Sequence, residues 1–85
     1  MPAGEPPFMI EVVLTMHGNL RRLLPEGRAS LRLSVPDGST VRDLLELVDA
    51  ADDVWLAAID GKPVPFSRAL APLEEVHCHE PIEGG

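Results

Sequence analysis

The residues best placed to do chemistry stand at the end of the chain, in Glu80-Pro81-Ile82-Glu83-Gly84-Gly85. A carboxylate is a poor electrophile until it carries a leaving group, so a carboxyl terminus reacts only inside a site that activates it. Glycine has no Cβ and tolerates nearly any backbone angle, so Gly84 and Gly85 make a tip slim enough to thread a slot closed to side chains. Pro81 lacks an N–H and stops any strand ladder, while Ile82 offers one apolar anchor; both are candidate partner contacts. Residues 80–85 therefore read as a flexible tail with a reach on the order of 20 Å. The Gly85 carboxylate is its candidate reacting group.

The other candidates are weaker. His77-Cys78-His79 resembles a metal site until it is placed on a strand, where side chains alternate faces. Both histidines then share one face and Cys78 takes the other, as a small core residue. Two imidazoles hold zinc only with further ligands brought from elsewhere, and the chain has one cysteine. His17 sits in a His17-Gly18-Asn19 break and reads as a surface histidine. No glycine-rich phosphate loop occurs, and no spacing of serine, histidine and carboxylate makes a triad. The only site the residues offer is the tail.

The elements that must hold this tail follow from periodicity. Residues 1–7 are rich in Pro, Gly and Ala without a period and read as a disordered leader. Over residues 8–16, Phe8, Ile10, Val12, Leu14 and Met16 share one face of a strand. Leu20, Leu23 and Leu24 stripe one or two helical turns, stopped by Pro25-Glu26-Gly27. A second strand over 29–35 buries Leu31, Leu33 and Val35 and exposes Ser30, Arg32 and Ser34. After Pro36-Asp37-Gly38, Ser39 or Thr40 caps a helix, and Thr40 with Asp43 forms a capping box with the shorter acid. Val41, Leu44, Leu45 and Val48 then repeat at helical spacing to about Ala50. Residues 54–59 read as a short apolar strand, Asp60-Gly61 as a turn, Lys62-Pro63-Val64 as a strand leading away, and residues 75–79 as the last strand. Between them, 66–73 is a loop with apolar anchors at Phe66, Leu70 and Leu73. The expected body, residues 8–79, is an α+β sandwich of one sheet of four to five strands against one helix.

Length and charge narrow the class. Eighty-five residues make one small domain, and 45% hydrophobic content is enough for a core. A single cysteine fits a reducing compartment, and no apolar run approaches ~20 residues, so the protein is expected to be cytoplasmic, away from membranes. A net charge of −7 argues against nucleic acid. Asp37, Asp43, Glu46, Asp49, Asp52 and Asp53 cluster, a solvated acidic face or one that meets a basic-lined partner.

In this order the segments resemble a ubiquitin-like β-grasp protein, specifically the MoaD/ThiS group of sulfur carriers. The resemblance spans roughly residues 8–85 and rests on FMIEVVLTM, LRRLLPEG, LRLSVPDGSTVRDLLELV, VWLAAIDGKPV and the closing EGG. It implies a mixed sheet on one main helix and a chain that binds no cofactor of its own. An adenylyltransferase related to ubiquitin-activating enzymes would use MgATP to make an acyl-adenylate on Gly85, with Gly84 as its slim neighbour. Sulfur transfer would give a thiocarboxylate for a sulfur-accepting synthase subunit. The segment LRRLLPEG resembles the molybdopterin synthase small subunit more than the thiamine carrier, which implies molybdenum cofactor biosynthesis. Two other classes stand beside this one: a modifier joined to lysines, and a plain interaction module with incidental glycines.

Overall fold

A computed structural model describes residues 8–80. The expected leader and most of the tail, including Pro81, Ile82, Gly84 and Gly85, lie outside the described residues. Strands β1 (Met9–Met16), β2 (Ser30–Pro36), β3 (Leu56–Ile59), β4 (Lys62–Val64) and β5 (Glu75–His79) form one mixed sheet with one α-helix among the described residues, α1 (Val41–Leu47). Strand order is β2-β1-β5-β3-β4. Only the central pair β1–β5 is parallel; the other three neighbours are antiparallel. This is the ubiquitin-like β-grasp fold expected from the sequence.

The parallel pair decides which side chains meet. Thr15 lies opposite His77 and Met16 opposite Cys78. On the inner face Val12, Leu14, Met16, Val76 and Cys78 are sealed with Val41, Leu44 and Leu45 of α1. The outer face carries Thr15, Glu75, His77 and His79, flanked by Leu56 and Ala58 of β3.

Helix α1 is too short to persist alone, so its packed stripe and its ends must hold it. The expected capping box is present at Thr40: its hydroxyl accepts from the Asp43 N–H at 3.2 Å, and Asp43 Oδ2 accepts from the Thr40 N–H at 2.9 Å. The loop before β5 supplies the next acceptors, as the N–H groups of Val41 and Arg42 donate to the carbonyls of Arg68 and Phe66. A bidentate Arg68–Glu74 pair, at 2.7 and 2.8 Å, fixes that loop. Its hydrogen bonds raise the Arg68 guanidinium and hold the Glu74 carboxyl below its usual range.

Five expectations need correction, the first being Leu73, expected as an apolar anchor but 78% exposed at φ +67°. The helix stops at Leu47, short of Ala50, because Asp49 takes a left-handed conformation at φ +59°. Asp49 N–H then donates to Glu46 and Ala50 N–H to Leu45, a C-terminal closure usually built on glycine. Phe8 precedes β1 and is 67% exposed instead of buried. Val54 and Trp55 precede β3, with Val54 buried and Trp55 70% exposed. Leu31 and Leu33 are only half-buried, because β2 is an edge strand.

Candidate functional site

The chain leaves the sheet at the end of β5, so His79 and Glu80 mark where the expected tail begins. What surrounds that point follows from the β1–β5 register. Thr15 faces His77, and two residues further on His17 arrives beside His79. The His17 N–H donates to the Cys78 carbonyl at 3.1 Å and continues the ladder past the end of β1. The loop histidine of the sequence thus joins the strand pair.

Three imidazoles now stand together, all half-buried. The His17 and His79 rings stack at 4.5 Å between centroids, with planes 9° apart. The His17 and His77 centroids are 5.1 Å apart, and His17 Nε2 and His77 Nδ1 share a hydrogen bond of 2.8 Å. One nitrogen of that pair carries the proton and the other accepts, so both rings cannot be fully protonated while it persists. Glu75 Oε2 lies 3.4 Å from His77 Nε2 and accepts from the Thr15 hydroxyl at 2.7 Å. Burial, and then the neighbouring His79 and His77, push the His17 pKa below its ordinary 6.5.

The stack is not arranged for a metal. The hydrogen bond between His17 Nε2 and His77 Nδ1 engages two of the nitrogens that an ion would need. Among the described residues, no group of three or more His, Cys, Asp or Glu is arranged to hold one. Cys78 is sealed in the core, as expected, and desolvation pushes its thiol up to about 12. It is no nucleophile at neutral pH.

Two depressions flank the exit. An almost wholly apolar groove of about 340 Å³ is lined by His17, Gly18, Trp55, Leu56, His79 and Glu80. Trp55 and Leu56 are 70% and 40% exposed there, an unusual amount of apolar surface beside a chain exit. On the other side, Gly18, Asn19, Arg21, Arg22 and Glu80 line a polar depression of about 510 Å³. Glu80 forms the wall between them, and its Oε2 accepts the Asn19 backbone N–H at 3.0 Å. No helix among the described residues is long and apolar enough to cross a membrane.

Of the sequence candidates, Gly84, Gly85, Pro81 and Ile82 lie outside the described residues. His77 and His79 share the outer face, Cys78 points inward, and His17 is gathered to them. His17, Trp55 and Glu80 were missed as neighbours of the exit. Only strand order would have found them: the parallel pairing of the first and last strands brings His17 and Glu80 together, and the antiparallel pairing of β3 with β5 brings Trp55 to the exit.

No protein-family model and no curated protein sequence matches the chain. Solved structures do. SAMP1 from Haloferax volcanii superposes with a TM-score of 0.72 at 18% identity, covering 88% of this chain and 99% of its own. A Pyrococcus furiosus protein assigned as molybdopterin converting factor subunit 1 gives 0.71 at 20% identity, covering 86% and 99%. The HVO 2177 protein of Haloferax volcanii gives 0.76 at 22% identity, covering 91% and 88%. At these identities the likeness shows a shared fold.

Proposed function

We propose that this protein is a ubiquitin-like carrier whose Gly85 carboxylate is activated by a partner and converted to a thiocarboxylate. The observation that carries the reading is the fold, shared with a molybdopterin converting factor subunit, in a chain whose central strand β5 leads to Gly84-Gly85. The protein itself supplies positioning and the reacting group. An adenylyltransferase resembling ubiquitin-activating enzymes, using MgATP, joins the carboxylate to AMP with release of pyrophosphate. A sulfur nucleophile then displaces AMP. The tail without side chains at its tip lets the reacting carbon enter a closed site, with Pro81 and Ile82 as contacts on the way.

Delivery of the sulfur to a synthase subunit of molybdenum cofactor biosynthesis is the favoured destination; a thiazole-forming or other sulfur acceptor would use the same terminal chemistry. Work as a protein modifier is the second reading, favoured by the likeness to a small archaeal modifier protein. Recovery of the chain joined to lysines of other proteins would select it.

Removal of Gly85 is the test. The shortened chain should keep its circular dichroism melt and lose ATP-dependent adenylylation in extract of the native host. Adenylylation at the full rate would refute the assignment of Gly85.

A further inference from the structure

We infer that Glu80 is a positioning residue: its carboxylate clasps the Gly18-Asn19 turn and sets where, and in which direction, the chain leaves the sheet. The inference rests on the carrier reading for its purpose, but its geometry stands apart from it.

The clasp joins residues far apart in sequence. Asn19 is the second residue of the 3₁₀ turn Gly18–Leu23, whose preceding residue, His17, provides no side-chain cap. The first N–H groups of such a turn lack internal acceptors, and Glu80 Oε2 takes that of Asn19 at 3.0 Å. The carbonyl of Asn19 is held as well, by Arg22 Nη1 at 2.8 Å. Both backbone groups of one turn residue are thereby fixed, one of them by the residue that follows β5.

The turn is shaped to receive the carboxylate. Gly18 has φ +61°, a conformation that side chains rarely adopt. A Cβ there would also stand 2.8 Å from Glu80 Oε2, closer than real Cβ contacts come. Glycine at position 18 suits both the backbone angle and the room that Glu80 occupies. Arg21 and Arg22 line the same depression as this carboxylate. The ends of β1 and β5 are tied in sequence by the His17–Cys78 backbone bond, the His17–His79 stack and the Asn19–Glu80 clasp.

The clasp shortens the tether. With Glu80 held, five residues separate the clasp from Gly85, an extended length of about 17 Å. Without it the span from the last fixed residue lengthens and its starting direction is no longer set, which dilutes Gly85 at any docked site. The loss belongs in the half-saturating concentration of the chain, not in the maximal rate of its activation.

The test uses the full ¹⁵N-labelled chain and the variants Glu80→Ala and Glu80→Gln. In Glu80→Ala, the Asn19 amide should exchange about tenfold faster, because its opening no longer breaks a hydrogen bond. The heteronuclear NOE of residues 81–83 should fall, with the melting temperature unchanged. Glu80→Gln keeps an oxygen acceptor and should restore both. Unchanged exchange and unchanged NOE in Glu80→Ala would overturn the inference, as would failure of Gln to rescue. These readouts need no partner, so they can fail while Gly85 is still activated, or succeed where it is not.

Discussion

Replacing Leu44 with Ala probes the packing that supports the whole account. Leu44 lies in the middle of α1 and is fully buried, between Val41 and Leu45 on one side of the helix and the inner face of the sheet. Truncation removes about 2.4 kcal/mol of apolar transfer at ~0.8 kcal/mol per methylene. The cavity left behind brings the cost to about 2–5 kcal/mol. A chain of this length has a total stability of roughly 4–13 kcal/mol, so the loss is a large share of it. For a domain of this size each kcal/mol moves the melting point by about 4–8 °C, and Leu44→Ala should melt at least roughly 8 °C lower. Leu47 serves as the control, since it lies in the same helix but is 59% exposed. Leu47→Ala should stay within about 0.5 kcal/mol of the parent. Circular dichroism melts and urea titrations of both variants decide the matter. Equal shifts, or a larger one for Leu47, would mean that the buried face of the helix is misassigned.

Other expectations come from the ends of the helix, the core thiol and the histidine stack. Thr40→Ala removes the capping box and should cost about 0.5–2 kcal/mol in urea titration. Cys78 should resist a thiol reagent in native buffer at pH 8 and react at once in urea, because burial keeps its thiol protonated; rapid native labelling would contradict its place in the core. The folded state holds the His17 pKa below its ordinary 6.5, so below that pH the unfolded chain binds the proton more readily. Stability should therefore fall as pH drops through the range just below 6.5, then level off once folded His17 is protonated too. His17→Phe keeps a stacking ring without a titrating nitrogen and should flatten that slope in melts taken at successive pH values.

Much of the fold was legible in the residues themselves. Alternation fixed the faces of β1, and the limits of β5 were read without error, because both strands are central and covered on one side by the helix. Thr40 and Asp43 announced the start of α1 by local chemistry alone. Its end was not legible, since Asp49 adopts the left-handed conformation that sequence reasoning assigns to glycine. Phe8 and Trp55 were misplaced for a different reason: both are apolar residues one step outside a strand, where alternation no longer governs direction. The exit site depended on strand order. His17 looks like a loop residue until β1 pairs in parallel with β5, and Glu80 looks like a tail residue until Gly18 and Asn19 come beside it. Neither juxtaposition has a local signal, because the partners are about sixty residues apart.

The same limit applies to Trp55 and Leu56. Their side chains border the exit only because β3 pairs antiparallel with β5, bringing Leu56 opposite His79. What the sequence did contain was the place of its one thiol on the inner face of the last strand, which leads toward two glycines.

The most direct test of the carrier reading is the intact mass of the untagged protein from its native host, with fragment ions of the C-terminal peptide. The account predicts a fraction heavier by about 16 Da, an oxygen-to-sulfur exchange placed on Gly85 and not a methionine or cysteine oxidation. Protein that carries only an unmodified Gly85, even when an adenylyltransferase of the same host is co-expressed, would contradict it.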